Sequence, residues 1–304
     1  MTTTLIQPNK THSLRAYLQL MRPANIITAW ADILLGAAAA GLALDATFDF
    51  STLGWLIIAT TGLYGGGVVF NDVCDADLDA NERPERPIPS GQVSLENAAA
   101  LGTILLLMGI LAAGMVSTLS EIIAMMIAAS VLIYDQWGKH QTLIAPLNMG
   151  ICRGGNLLLG MSIVAGAIGD RWYLALIPIV YIAAITAISR GEVHGGKKTT
   201  GMLAIALISL VIGSILALGM LSEYQLWMAL PFAGLFAALV LPPFIKAASE
   251  PSPELIQKAV KAGILSLIIL NAAIAAGFAG WIYGLLLLAL LPLSQGLGKM
   301  FAIT

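Results

Sequence analysis

Three aspartates recur at helical spacing in the segment NDVCDADLD. On an α-helix, Asp72, Asp75 and Asp79 occupy positions i, i+3 and i+7 and therefore share one face. Like charges at this distance repel one another unless a cation lies between them. Mg²⁺ is held by one or two carboxylates and completes its shell with water and substrate phosphate. The spacing therefore predicts a metal site beside a phosphate-bearing ligand, to which Asn71 adds a neutral amide.

Two other interpretations of the segment start from the same residues. The first is a solvated loop whose acidic side chains only keep it in water. The second is a calcium-binding loop, because DADLD opens like an EF-hand. That interpretation fails, because Ala80 stands where the loop needs glycine and Arg86 where it needs the bidentate glutamate. The metal site and the solvated loop stay open on the residues alone.

Membrane-spanning helices are the elements that must position this segment. The chain has 304 residues, of which 58% are hydrophobic and 11% are charged, whereas a soluble domain carries roughly 25% charged residues. Apolar stretches of about 20 residues, the length of a helix that crosses a bilayer, recur along the sequence. A helix satisfies its own backbone polar groups within lipid. We therefore predict an all-α, multi-span membrane helical bundle that forms a single domain over residues 1–304.

The hydropathy pattern predicts nine or ten spans, since the tenth is short and interrupted by Pro292. Their expected positions are 24–44, 53–73, 96–117, 120–136, 146–168, 172–190, 201–221, 226–246, 256–279 and 281–296. Glycines four residues apart, as in the pairs Gly62/Gly66 and Gly150/Gly154, suit close packing of helices in lipid.

The basic residues predict the orientation of the bundle. With the N-terminus in the cytoplasm, every Lys and Arg except Arg153 and Arg171 falls in cytoplasmic segments, as the positive-inside rule requires. The N-terminal segment 1–22 is then cytoplasmic, and its residues 14–21 form either a short interfacial helix or a continuation of the first span. No basic run indicates a nucleic-acid partner. We expect an integral membrane protein whose N-terminus and acidic loop are cytoplasmic.

Four segments resemble, in order, the signature segments of the UbiA superfamily of membrane prenyltransferases. NDVCDADLD fits N-D-x-x-D-x-x-x-D, the first aspartate-rich motif, and RPIPSG at 86–91 is similar to the segment that follows it. RPAN at 22–25 resembles the N-terminal signature, and YDQWGKHQT at 134–142 resembles the tyrosine–lysine–threonine loop after the fourth span. The set as a whole resembles the divergent EboC branch, which occurs in bacterial gene clusters linked to export of secondary-metabolite precursors.

The resemblance implies helices around a central cavity that opens sideways to lipid. A polyprenyl diphosphate would place its tail among the helices and its head group on Mg²⁺, and a small acceptor, often aromatic, would capture the allylic cation. The metal ligands implied are Asn71, Asp72, Asp75, Asp79 and Glu192. The diphosphate and substrate contacts implied are Arg22, Asn25, Arg86, Lys139, Lys197 and Lys198. Asp72, Asp75 and Lys139 are the residues implied in catalysis.

The second aspartate-rich motif departs from the pattern of the superfamily. That motif reads D-x-x-x-D before G-x-x-T, and counting back from Thr199 places its acids at Ile188 and Glu192. Isoleucine cannot ligate a metal. Two functions therefore stay open: Mg²⁺-dependent transfer of an isoprenyl group to a small acceptor, or a non-catalytic relative that binds or carries an isoprenoid or metabolite precursor for export.

Arg153 falls inside the fifth predicted span. An ionisable group at membrane depth costs at least about 2.5–3.5 kcal/mol unless it is paired or hydrated, so Arg153 is a candidate substrate contact. The alternative is a structural pair with Asp32 of the first span, and both hold if the pair lines the cavity. A third function, an ion-coupled transporter with this pair as a relay, is disfavoured because the charge concentrates at the membrane surface.

Overall fold

The structure is a computed structural model that describes residues 10–41, 50–142 and 144–301. The described part is helical and contains no strand. Its helices are α1 (Lys10–Met21), α2 (Pro23–Ala39), α3 (Phe50–Cys74), α4 (Ala76–Glu82), α5 (Leu95–Gly114), α6 (Thr118–Gln136), α7 (Ile144–Met161), α8 (Ala167–Arg171), α9 (Leu176–Ser189), α10 (Lys198–Ala217), α11 (Leu226–Ser249), α12 (Pro253–Ala279), α13 (Trp281–Leu288) and α14 (Leu290–Met300). Short 3₁₀ turns cover Gly138–His140, Trp172–Ala175 and Leu218–Met220.

Helices occupy all ten predicted span positions, which confirms the all-helical bundle. Within the described residues, eight helical segments are long and apolar enough to cross a membrane. The two other positions are held by α2, which is apolar but has 17 residues, and by α7, which carries Arg153. The predicted end of the first span, at residue 44, lies outside the described residues.

α1 is a separate short helix and not a continuation of the first span. Arg22 adopts the left-handed conformation (φ 48°, ψ 64°) and ends the run of helical residues before Pro23. Ala16 and Leu20 of α1 are buried and pack with Val69 of α3. α1 is therefore packed against α3, and Arg22, which follows it, reaches Asp72 of that helix.

Glycines allow close contact between helices, as their spacing predicted. Gly62 and Gly66 of α3 face α5, and a Cβ atom at Gly66 would lie 3.0 Å from a backbone oxygen of α5. Gly150 and Gly154 of α7 face the first turns of α9, and a Cβ atom at Gly150 would lie 2.5 Å from the backbone oxygen of Ile179 in that helix. Small residues let backbones approach in this way in lipid. These contacts hold α3 and α7, the two helices that carry most of the site, against their neighbours.

The largest apolar core lies among α7, α9, α10, α11 and α12, around the fully buried Tyr181, Phe236 and Phe244. A groove of about 450 Å³ lies between α9 and α10, where Tyr173 and Leu218 line it. This groove is at the end of α9 that is opposite Ser189. It is therefore separate from the end of the bundle where the acidic segment lies.

Candidate functional site

Three loops meet at one end of the bundle, which we call the motif end: residues 71–91, 138–142 and 190–197. Lys139 of the second loop binds the first loop, because its Nζ donates to Asp75 Oδ1 at 2.6 Å. Arg190 of the third loop binds the second, because its Nη2 donates to the backbone oxygens of Lys139 at 3.1 Å and Gln141 at 3.0 Å. Loops that lie far apart in sequence thus form one polar surface above the apolar helices.

Arg22 enters the motif end from the junction of α1 and α2. Its Nη2 donates to Asp72 Oδ1 at 2.7 Å. A non-glycine residue in a sparsely populated backbone conformation costs roughly 1–3 kcal/mol and persists only where its surroundings hold it. The ion pair with Asp72 is one contact that holds Arg22 there. Asn25, one turn further along α2, is buried at the start of that helix.

Arg86 joins two aspartates of the acidic segment. Its Nη1 donates to Asp79 Oδ2 at 2.6 Å and lies 3.3 Å from Asp72 Oδ1. The RPIPSG segment folds tightly around it, since Ser90 Oγ donates to the Arg86 backbone oxygen at 2.7 Å. Asp72 and Asp79 are both buried, while Asp77 is exposed. The predicted shared face is therefore confirmed for Asp72 and Asp79.

Asp75 belongs to a second group of polar side chains. The helix is interrupted at Asp75, between α3 and α4, and Asp75 turns to Lys139 and away from Arg86. One turn earlier on α3, Asn71 Nδ2 donates to Asp135 Oδ1 at 3.1 Å. These two contacts tie α3 to the end of α6.

Asp135 is a site residue that the sequence analysis did not single out. Its side chain is 2% exposed, and its Oδ2 is buried with no hydrogen-bond partner among the described residues. It lies in the YDQWGKHQT segment, one helical turn before Lys139. An acid at the end of an apolar span is the same signal that drew attention to Asp72, and it could have identified Asp135 as well.

The third loop contributes Glu192 and Arg190. Burial raises the pKa of the Glu192 carboxyl above its ordinary value, and Arg83, Arg22 and Arg86 partly offset this rise. Glu192 therefore faces the arginines of the first loop. Ile188 is buried in the apolar core. Its hydrocarbon side chain has no atom that could ligate a metal.

The two lysines of the third loop lie differently from the other predicted contacts. Lys197 precedes α10 and Lys198 is its first residue. Both side chains are exposed, so the structure does not place them among the buried charges of the motif end.

Arg153 lies deep in the bundle, where its charge is paired. Its Nη1 donates to Asp32 Oδ2 at 2.6 Å, and its Nη2 donates to Thr28 Oγ1. The guanidinium carbon lies 5.0 Å from the centre of the Tyr64 ring. The pair with Asp32 that the sequence suggested is therefore present.

Two more helices, α3 and α12, complete the surroundings of this pair. Asp32 accepts from Asn271 Nδ2 of α12 at 2.7 Å and from Asn156 Nδ2 of α7 at 3.1 Å. Asn156 Oδ1 in turn accepts from Thr60 Oγ1 of α3 at 2.7 Å. The network joins α2, α3, α7 and α12 at the centre of the bundle.

The side chains at the motif end could give Mg²⁺ one or two carboxylate ligands, but not a full coordination shell. Among the residues that the structure describes, no group of three or more His, Cys, Asp or Glu side chains is arranged to hold a metal ion. Asp72, Asp75 and Asp79 each pair with a basic side chain. Mg²⁺, however, needs only one or two carboxylates, and the orphaned oxygen of Asp135 adds one that lacks a partner. The residues present therefore fit this metal.

Two curated relatives show what the chain is similar to. It is 30% identical over 201 residues to the digeranylgeranylglyceryl phosphate synthase of Ignicoccus hospitalis, covering 64% of each chain. It is 29% identical over 199 residues to the synthase of the same name from Methanoculleus marisnigri, covering 63% of this chain and 69% of that one. The match to the Ignicoccus protein thus spans less than two thirds of its length.

Solved structures share the fold. A structure of a digeranylgeranylglyceryl phosphate synthase in membranes matches 88% of this chain and 98% of its own, with a TM-score of 0.66 and 22% identity. A UbiA homologue from Archaeoglobus fulgidus, bound to GPP and Mg²⁺, matches 90% of this chain and 99% of its own, with a TM-score of 0.52 and 15% identity. At these identities the likeness establishes the fold alone.

The sequence profile of the UbiA prenyltransferase family matches residues 33–265. That range covers most of the chain and includes the acidic segment, the Lys139 loop and the third loop. With its apolar helices, the molecule is an integral membrane protein. The chain belongs to the UbiA prenyltransferase family.

Proposed function

We propose that this protein transfers an isoprenyl group from a polyprenyl diphosphate to a small acceptor within the membrane, in a reaction that depends on Mg²⁺. The observation that carries the proposal is the arrangement of Arg22, Arg86 and Lys139 around buried carboxylates at one end of an apolar bundle. A polyprenyl diphosphate needs a charged site for its head group next to an apolar region for its tail. The homologue from Archaeoglobus bound to GPP and Mg²⁺ supports this class of donor.

The basic side chains would act on the leaving group. The C1–O bond of the donor breaks and the electron pair leaves with the diphosphate, whose growing negative charge must be met by fixed positive charge. Arg22, Arg86 and Lys139 are held in place by ion pairs before the substrate arrives, so little reorganisation is needed. Mg²⁺ held by carboxylates of the acidic segment would supply further positive charge to the diphosphate oxygens.

The acceptor forms a new bond to C1 and loses a proton. The names of the relatives describe synthesis of a glyceryl phosphate that carries geranylgeranyl groups, so a hydroxyl-bearing acceptor is one class to test and an aromatic acceptor is the other. If the basic residues mark the inner face, the motif end would lie on the cytoplasmic side of a bacterial cell membrane. The diphosphate would then bind from the cytoplasm.

Release of diphosphate by purified protein in detergent tests the proposal. The protein is given Mg²⁺ and radiolabelled prenyl diphosphates of several chain lengths, with glycerophosphate-type and aromatic acceptors. The wild type should form a prenylated product, and the double substitution Asp72→Ala with Asp75→Ala should lower the rate by at least about 100-fold, as loss of fixed charge at a transition state does. Asp77→Ala, an exposed acid in the same segment, should leave the rate unchanged.

A carrier that does not break the diphosphate bond is the second candidate function. Ile188, buried where the second motif has an acid, favours it. A wild type that forms no product with any donor and acceptor, while an isoprenoid co-purifies with it, would establish the carrier and overturn the transferase.

A further inference from the structure

The charges of the motif end divide into two groups. The arginine group consists of Arg22, Arg86, Asp72 and Asp79, in which two guanidinium groups balance two carboxylates. Every ion pair of this group is formed, and both carboxylates are buried. Each carboxylate of the arginine group therefore already has a basic partner.

The second group is the quartet, which consists of Asn71, Asp75, Asp135 and Lys139. Asn71 lies in the last turn of α3 and Asp75 directly follows that helix, while Asp135 lies in the last turn of α6 and Lys139 in the 3₁₀ turn that follows it. The two edges face each other through the Asn71–Asp135 contact of 3.1 Å and the Asp75–Lys139 contact of 2.6 Å. Two carboxyl groups face a single ammonium group, so one carboxyl group of the quartet has no basic partner within it.

Asp135 is the carboxyl group that lacks a basic partner among the described residues. Its Oδ1 takes the Asn71 amide, while its Oδ2 is buried and lacks a hydrogen-bond partner among the described residues. A buried carboxylate without a partner carries the full loss of its hydration. Such a group in a native structure indicates a missing ligand, and a cation is the ligand that an anionic oxygen needs.

We propose that Asp75 and Asp135 together hold a divalent cation between α3 and α6. This inference rests on the proposed function and deepens it, because α6 then supplies the carboxylate that the second motif lacks at Ile188. Two carboxylates, with the remaining positions filled by water and diphosphate oxygens, match what Mg²⁺ takes from proteins. The assignment differs from the motif pattern, which gives Asp72 and Asp79 to the metal and leaves Asp135 out.

Lys139 has a distinct part in this arrangement. Its ammonium group balances Asp75 in the structure, at 2.6 Å. A cation between the two carboxylates takes over that balance and leaves the ammonium free to turn to a diphosphate oxygen. Binding of the metal would thereby release Lys139 from Asp75 and make it available to the diphosphate.

Binding of Mn²⁺ alone, followed by electron paramagnetic resonance of the free ion, tests the assignment in purified protein. Asp135→Asn keeps the shape of the side chain and its contact with Asn71 but removes the charge. Loss of a residue that only hydrogen-bonds to a metal ligand lowers metal affinity by roughly 10–100-fold. Loss of a carboxylate that binds the metal directly should lower the affinity by at least as much. We expect Asp135→Asn and Asp75→Asn each to weaken Mn²⁺ binding by at least about tenfold.

Two matched variants keep the test specific. Asp77→Asn makes the same change at an exposed position of the acidic segment and should leave Mn²⁺ affinity unchanged, and Asp79→Asn should weaken it less than Asp135→Asn does. Thermal unfolding in EDTA checks the fold: Asp135→Asn should melt no lower than the wild type, because it removes an unpartnered buried charge. Equal Mn²⁺ affinity of Asp135→Asn and Asp77→Asn, or no Mn²⁺ binding by the wild type, would overturn the inference.

The inference and the proposed function fail in different ways. A wild type that binds Mn²⁺ through Asp135 but transfers no isoprenyl group keeps the metal assignment and removes the transferase. Prenyl transfer that is unaffected by Asp135→Asn, with unchanged Mn²⁺ affinity, keeps the transferase and removes the metal assignment.

Discussion

Single aspartates at the motif end differ in how their charge is balanced. Asp72 accepts from two arginines, Asp75 accepts from a lysine, and Asp135 accepts only from an amide. Arginine is well suited to buried pairs with carboxylates, because its planar group is always charged and presents several donors. If both proposals hold, the arginines bind the diphosphate, and Asp75 and Asp135 bind the cation.

Glu192 offers a prediction at the residue scale. Burial raises its pKa when the protein is folded, so the folded state binds more protons than the unfolded state between the ordinary value of 4.5 and the raised one. Ionised Glu192 thus lowers stability as the pH rises through that window. We expect Glu192→Gln to raise the melting temperature relative to the wild type at neutral pH, and this gain to shrink below the ordinary glutamate pKa.

Melting temperatures of both proteins across that pH range measure the effect. Glu85→Gln, at an exposed glutamate of the first loop, controls for removal of one negative charge near the same arginines. A gain for Glu192→Gln that is constant with pH, or that grows toward acid, would contradict the raised pKa.

Elements at the motif end are held by contacts that the sequence predicts only in part. Helical spacing predicted the common face of Asp72 and Asp79, because a local period decides it. The left-handed Arg22 and the break at Asp75 have no such signal, because contacts with distant residues select them. Asp135 did carry a local signal, as an acid at the end of an apolar span, but no local pattern joins it to its partner Asn71, 64 residues earlier in the chain.

Arg190 gives a prediction at the scale of elements. It connects the end of α9 to the 138–142 loop through two backbone oxygens of that loop, so it is a positioning residue for Lys139. A hydrogen bond to a charged group contributes about 1.5–3 kcal/mol. We expect Arg190→Ala to speed amide exchange in residues 138–142 by about tenfold and to lower the rate of prenyl transfer.

Hydrogen exchange read by mass spectrometry measures the first effect, and single-turnover transfer measures the second. Arg190→Lys should recover part of both, because a lysine can still donate to one of the two oxygens. Lys246→Ala, an exposed basic residue near the end of α11, should change neither. Unchanged exchange in the loop with a reduced rate would show that Arg190 acts on the substrate and not through the loop.

For the whole molecule, hydropathy was sufficient to place the helices, and it said little about how they join. All ten positions were predicted, because the length and apolarity of a span are properties of one segment. The central network depends on partners as distant as Asp32 and Asn271, 239 residues apart. The Asp32–Arg153 pair could be predicted, since a charge at membrane depth needs a partner. The contacts of Asn156 and Asn271 with Asp32 could not be predicted in this way, because an amide carries no charge.

The Asp32–Arg153 pair yields the last prediction, since it links α2 to α7 and, through Asn271, to α12. Removing one partner of a buried pair leaves the other charge uncompensated, at a cost of roughly 3–5 kcal/mol. We expect Asp32→Leu and Arg153→Met each to shorten the lifetime of the folded protein in detergent at elevated temperature. The double variant should outlast both, because two apolar side chains of similar size can replace a buried pair with little loss.

Asn271→Leu, which removes one amide and no charge, controls for loss of a single hydrogen bond and should have a smaller effect than either single change. A double variant that unfolds faster than both singles would show that the two charges stabilise the bundle independently, and the network would not be the link between its halves.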